Sequence, residues 1–427
     1  MAAGNTRSEV RGATDEGPLP RWGALAYPNY RNYWIANLVR IFGIQFRFIG
    51  GLWLVQQLAD SPLWLGVLSI STAVPTIVLS VPAGALADRV DNQKLLVWSS
   101  ALTAVVTGAL AVAVVLDVAN VWIAVLWAAV LGALMALANP AQSAILPRLI
   151  DMRAIASAVA YTSAAWSGMR IVGPFAVGIL IAVIGTGQAF IVTAAAFAIS
   201  ALLLQRLRLA PVERRGTHAE HDGGMLEGAR YIFRNKLFLA TIGLSFFTSV
   251  FGSSYIVLLP TFADDILHVG ARGFGLMETA AGMGALLGTF LIVRVRSQRH
   301  YGPVMLLAAA AFGILIAGFA ASRTIGVSMA LLFGGGLASA VYLNVGMTTL
   351  QVLVPDELRG RVMGVWSMTY FLGSVGGLPA GLVAAWLGAP VAVAAGGLSV
   401  TAFAVALLVT VPALRELARP SAVPSRA

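Results

Sequence analysis

Apolar residues run along this chain in long stretches, without the two-residue alternation of half-buried strands. Twelve such stretches stand out: 31–58, 63–87, 95–116, 121–146, 155–184, 187–207, 237–262, 273–294, 302–321, 326–350, 360–387 and 390–412. A hydrocarbon core about 30 Å thick needs about 20 apolar residues per helix. Each stretch is therefore predicted to cross a bilayer as an α-helix. Ala, Leu, Val and Gly dominate them, which favours helices over barrel strands. The polar intervals divide the chain into a tail (1–30), a first six-helix half (31–207), a linker (208–236), a second six-helix half (237–412) and a second tail (413–427). The first tail carries Arg7, Arg11 and Arg21 but no apolar core, so no cleavable signal peptide is expected.

Composition agrees with this pattern. Of 427 residues, 59% are apolar and 11% charged, where a soluble domain has about 25% charged. The polar side chains are too few to cover a water-facing surface, which excludes a soluble enzyme, a disordered chain and a fibrous repeat. There is no Cys, and the four histidines (His218, His221, His268 and His300) lie in polar intervals without a ligand-set spacing. No metal site and no cofactor is expected. Paired carboxylates inside the spans are lacking too, so the chain does not read as a membrane enzyme.

The net charge of +10 invites a nucleic-acid reading until its distribution is examined. With the N-terminus inside and twelve spans threaded, 23 of the 28 Lys and Arg fall on the inner side. Arg272 and Arg323 fall outside, and Arg40, Arg47 and Arg170 fall within spans. This is a positive-inside asymmetry, which predicts cytoplasmic termini in the inner membrane. The charge anchors loops against anionic lipid headgroups, and no nucleic-acid partner is expected. Within the linker, Glu213–Gly224 reads as flexible. Met225–Asn235 reads either as an amphipathic helix on the cytoplasmic surface or as the solvated start of span seven.

The halves repeat weakly. Gln142 and Pro147 before span five match Gln351 and Pro355 before span eleven, Pro174 matches Pro379, and Gly84 matches Gly288. Two parallel six-helix repeats imply a pseudo-twofold along the membrane normal and a site between them.

Between spans two and three stands GALADRVDNQKLL, Gly84–Leu96. The segment resembles the loop signature of the major facilitator superfamily, and the likeness extends over nearly the whole chain. It implies an all-α membrane protein of twelve transmembrane helices in two pseudo-symmetric halves, usually monomeric. By that resemblance Asp88 belongs to a charge relay with span eleven that steadies one gate state, alongside Gly84. Asp91 and Asn92 stand where the pattern has Gly and a basic residue, so Arg89 or Lys94 must supply the positive charge. Span five carries Gly168, Gly173, Pro174 and Gly178, similar to the Gly-Pro signature of drug–proton antiporters but without a Gly pair after the Pro. Small residues there permit close helix approach and the Pro permits a bend, so packing and coupling are both open roles. Asn29–Gly43, Leu58–Leu68 and Leu353–Val365 resemble the exporter branch that contains siderophore and macrolide efflux proteins. That resemblance implies direction and substrate class. An acidic residue common in span one of that branch is absent here.

Charges inside the membrane cost several kcal/mol unless paired or hydrated, so each is a functional candidate. Arg40, Arg47, Arg170 and Glu278 are the four of the Asp, Glu, Lys and Arg types well inside spans. Asn37, Arg40, Ile44 and Arg47 share one helix face, which should look toward water or protein, and Gln45 is off that stripe. Arg40 can alternatively snorkel to the inner headgroups. Arg170 and Glu278 both fall in the outer halves of spans five and eight. The resemblance places those two spans together, which makes Arg170 the first choice of partner for Glu278 and Arg47 the competitor. Such a pair can break when the halves separate and so couple protons to gating, or it can be a static bridge. Other cavity candidates are Asn139, Gln142, Tyr255, Tyr342 and Asn344, with Trp166, Trp366 and Tyr370 available to stack on an aromatic ligand. The predicted function is proton-coupled export of amphipathic small molecules of drug, macrolide or siderophore type. The alternatives are uptake of a small anionic solute at an arginine-lined site and a non-transporting membrane receptor.

Overall fold

The computed structural model describes residues 22–207, 225–292 and 301–415 and is all-helical there. The elements are α1 (Pro28–Leu58), α2 (Leu63–Arg89), α3 (Asn92–Val115), α4 (Val121–Ile145), α5 (Ile155–Ile184), α6 (Thr186–Gln205), α7 (Met225–Arg234), α8 (Lys236–Phe247), α9 (Ser254–Thr261), α10 (Gly270–Ile292), α11 (Tyr301–Ala321), α12 (Ile325–Leu353), α13 (Asp356–Val375), α14 (Gly377–Leu387) and α15 (Ala389–Thr410). Eleven described helical stretches are long and apolar enough to cross a membrane. The chain is a multi-pass membrane protein.

Two stretches depart from simple rods. Residues 236–266 form one crossing in which α8 and α9 are joined by a π-helical turn, Thr248–Gly252, and α9 is followed by another, Phe262–Ile266. Pro260 lies inside α9, where its missing N–H disturbs the backbone ladder. The stretch predicted as one span at 360–387 is split into α13 and α14 at Gly376. Pro379 falls in the first turn of α14, where the absent N–H leaves no bond unmade. The apolar part, Gly373–Leu387, is shorter than a full crossing.

Helix starts follow local chemistry. Asp91 caps α3 by accepting from the Gln93 N–H at 2.8 Å, and Asn120 caps α4 by accepting from Ile123 at 3.0 Å. Asn235 accepts from Leu237 at 3.0 Å and so begins α8 anew, which makes α7 a separate helix. Ile232 of α7 is buried with Trp366 and Val362 of α13, while Phe233 is exposed. Residues 1–21, 208–224 and 416–427, which hold most of both predicted tails and the flexible linker stretch, lie outside the described residues.

Helices α1–α6 pack on one another, chiefly as α3 on α6, α2 on α4 and α1 on α6. Helices α8–α15 do the same, chiefly as α10 on α12 and α11 on α15. Two seams join the sets: α5 with α10, and α2 with α13 and α14. The seams are tight at one end only. A Cβ on Gly178 would sit 2.7 Å from the Ala271 carbonyl oxygen and 3.0 Å from the Gly275 Cα. A Cβ on Gly377 would lie 2.9 Å from the Ser69 Cβ, and one on Gly381 3.0 Å from the Pro62 oxygen. At this end Gln56 of α1 donates to Asp265 at 3.0 Å and accepts from Thr261 at 2.8 Å. Trp53 stacks on Phe274 with centroids 6.0 Å apart. Farther along the same helices, Gly168 of α5 and Gly84 of α2 have open space where a Cβ would be. The sets therefore splay at the end that carries Arg89, Lys94, Arg148 and Arg153, hereafter the basic end.

Candidate functional site

The splay leaves a cavity of about 360 Å³ between the two sets. Gln45, Phe48 and Ile49 of α1 form one wall, and Trp166, Ser167, Arg170 and Pro174 of α5 form the next. Tyr255 and Ile256 of α9, Glu278, Ala281 and Gly282 of α10, and Gly336 and Ser339 of α12 complete it. A second cavity of about 160 Å³ shares Ser167, Arg170, Gly282 and Ser339 and extends to Thr289, Leu343 and Asn344. The lining mixes aromatic and aliphatic faces with a few polar tips, which suits an amphipathic ligand.

Local packing explains why these helices come so close. Gly173 lacks a side chain where Gln45 crosses, and a Cβ there would be 2.8 Å from the Gln45 Cβ. Gly282 lets α10 pass the Arg170 backbone, since a Cβ would lie 2.8 Å from that carbonyl oxygen. Arg170 and Glu278 are thereby held on adjoining walls of one cavity. The Glu278 Oε1 is buried and makes no hydrogen bond among the described residues. A carboxylate in this setting can trade protons with the cavity when water reaches it.

The remaining predicted residues are dispersed. Arg170, Tyr255 and Glu278 line the large cavity and Asn344 the adjoining one. Arg40 is buried and donates to Asn37 Oδ1 at 3.1 Å and to Gln142 Oε1, while Gln142 Nε2 donates to Asn37 Oδ1 at 3.0 Å. Arg47 is buried between α1, α2, α3 and α4, beside cavities of about 60 and 30 Å³. The stripe Asn37–Arg40–Arg47 thus looks into the first helix set, and Gln45, Phe48 and Ile49 look into the large cavity. Tyr342 is buried against Phe312 at 5.8 Å, and Asn139 is exposed. Trp366 is buried beside α7, with its indole N–H unbonded among the described residues. Tyr370 lies on α13 and Asp88 on α2, but their side chains fall outside the described residues. Arg89 and Lys94 are exposed at the basic end.

Sequence reasoning missed Gln45, Phe48, Ile49, Ser167 and Ser339. The signal for the first three was present: they follow i, i+3, i+4 spacing, and Gln45 is a polar amide near the middle of an apolar run.

Apolar crossing helices enclosing an amphipathic, partly charged cavity between two helix sets define a membrane transporter of small molecules rather than an enzyme. The profile of the transmembrane secretion effector family matches residues 20–426. The chain belongs to this family of major facilitator transporters. It is 25% identical over 335 residues to the staphyloferrin A transporter of Staphylococcus aureus, covering 75% of this chain and 80% of that one. It is 29% identical over 387 residues to the multidrug efflux pump Tap of Mycolicibacterium fortuitum, covering 86% and 91%. It is 24% identical over 394 residues to the enterobactin exporter EntS of Escherichia coli, covering 91% and 93%. Among solved structures, the nucleoside transporter NupG superposes with a TM-score of 0.72 at 15% identity, over 89% of this chain and 98% of that one. A bacterial homologue of the human lysosomal transporter Spinster, inward-facing and unoccupied, superposes with a TM-score of 0.68 at 16% identity, over 89% and 95%. These two likenesses concern the fold.

Proposed function

We propose that this protein exports amphipathic small molecules across the bacterial inner membrane by alternating access, with proton entry as the driving force. The observation that carries the reading is the cavity of about 360 Å³ between the helix sets, amphipathic in lining and splayed at the basic end. Residues 31–207 and 237–412 act as two six-span halves, with the broken pair α13–α14 as the eleventh of twelve crossings. Both termini and the basic end are cytoplasmic, so the conformation described here is inward-facing. Closure of the basic end and parting of the α5–α10 and α2–α14 seams then expose the cavity to the other side. Asp88, with Arg89 or Lys94, steadies the gate at the basic end. Glu278, which lines the same cavity as Arg170, carries the proton. Family membership and the siderophore and multidrug exporters among the relatives support the direction and the substrate class.

The test is transport by purified protein in liposomes under an imposed pH gradient, with a panel of dyes, macrolides and siderophores. Accumulation of a panel compound on the side facing the outer ends, dependent on the gradient, is the expected result. Gradient-independent movement would refute proton coupling. Movement only in the opposite direction would favour the second reading, uptake of a small anionic solute, which Arg170 in the cavity wall makes chemically reasonable.

A further inference from the structure

Arg40 and Arg47 lie two helical turns apart on α1, about 10 Å along the axis. They are 7% and 9% exposed, and both line a cavity of about 30 Å³ apart from the large one. Among the described residues neither guanidinium meets a carboxylate. Arg40 donates to two amide oxygens, those of Asn37 and Gln142. Arg47 donates through Nη2 to the Met135 sulfur at 2.8 Å, and its Nε is buried without a hydrogen bond. A thioether is a weak acceptor, and a buried cation without a counter-charge is costly. Two such cations side by side on one face repel each other as well. Ser99, Ser100 and Thr103 of α3 form the opposite wall. One water needs about 10–15 Å³, so the space of about 30 Å³ suits a compact group of two or three heavy atoms. Arg47 also lines the cavity of about 60 Å³ that reaches Ser374 of α13. That second cavity extends from the guanidinium toward the other helix set.

We propose that Arg40 and Arg47 form a compact-anion site inside the first helix set, sized for a carboxylate group or a chloride ion, and separate from the cavity that holds the amphipathic body of a substrate. The proposal goes beyond the transport reading and does not depend on proton coupling or on direction. A carboxylate reaching this site accepts from Arg47 Nε and Nη2 in the forked geometry that guanidinium favours. A chloride ion would serve the same two cations as a structural counter-ion.

The experiment follows thermal unfolding of the purified full chain in nanodiscs. Acetate or chloride is titrated at constant ionic strength against a bulky sulfonate buffer anion too large for the space. A saturable rise in Tm of roughly 2–4 °C is expected for at least one of the two anions. Response to acetate assigns the site to carboxylate-bearing ligands, and response to chloride alone assigns it to a structural ion. Met135→Glu places a carboxylate beside Arg47 and should raise Tm without added anion while removing the dependence. Arg47→Gln should also remove the dependence; if it fails to fold, Met135→Glu still decides. No response of the unaltered protein to either anion overturns the proposal. So does an equal response in Met135→Glu, or a rise with the bulky sulfonate as large as with the small anions.

Discussion

The α5–α10 seam offers a direct way to move the protein between states. Gly178→Ala adds one methyl group where the Ala271 oxygen would be 2.7 Å and the Gly275 Cα 3.0 Å away. Both neighbours are backbone, so the side chain cannot rotate away and the helices themselves must part. Overpacking of this kind costs about 1–3 kcal/mol. The cost falls on the conformation in which the seam is closed, because the contact is lost when the sets separate at that end. An equilibrium between the two states should then shift roughly five- to 150-fold toward the state open at the end opposite the basic end.

The chain has no Cys, so label sites can be introduced without removing any. Spin labels at Val183 and Arg272 report on the closed end, and labels at Val159 and Leu291 report on the basic end; all four positions are exposed. In Gly178→Ala the first pair should gain a longer-distance population while the second gains a shorter one. Gly168→Ala is the control, because its Cβ meets nothing within 4 Å in this conformation. It should not open the closed end. Unchanged distributions in both pairs, from a folded variant, would refute the claim that this seam sets the conformational balance. Lengthening at both ends together would show general loosening instead of alternating access.

Three further outcomes are expected. Gln56→Leu removes two hydrogen bonds across the closed end, each worth about 1 kcal/mol or less where water competes, and should shift the Val183–Arg272 distances in the same direction as Gly178→Ala but less. A shift toward shorter distances would contradict a latch role for Gln56. Asp88→Ala should slow transport of every substrate to a similar extent with binding nearly intact, read by comparing initial rates with equilibrium binding for three unlike compounds. A loss of affinity confined to one compound would place Asp88 in recognition instead. Glu278→Gln fixes a neutral, proton-loaded mimic and should abolish gradient-driven accumulation while sparing substrate binding and downhill exchange. Uphill transport at the unaltered rate would remove Glu278 from the coupling step.

Crossing helices are legible in a sequence because length and apolarity are local properties, and a run such as 302–321 needs no partner to declare itself. The break at Gly376 was hidden because Gly376, Gly377 and Pro379 sit in an apolar background where a bend and a continuous helix read alike. At Gly376 the π-helical turn Thr248–Gly252 passes so close that a Cβ would overlap the Val250 carbonyl, a contact the local sequence does not show. The cavity raises the same difficulty more sharply. Helix α1 has two faces with polar residues, Asn37–Arg40–Arg47 and Gln45 with its apolar neighbours. Charge favours the first as the water-facing one. The structure turns the second toward the large cavity, because Gly173 and Gly282 bring α1, α5 and α10 together on that side. Arg40 is accommodated by the amide oxygens of Asn37, on its own helix, and of Gln142, which the packing of α4 against α1 supplies. This difference has a chemical consequence. A stripe facing bulk water would tolerate Lys in place of Arg, since water solvates either cation. Arg40, held by directed bonds to two amide oxygens, would not, because Lys lacks the planar fork that reaches two acceptors at once.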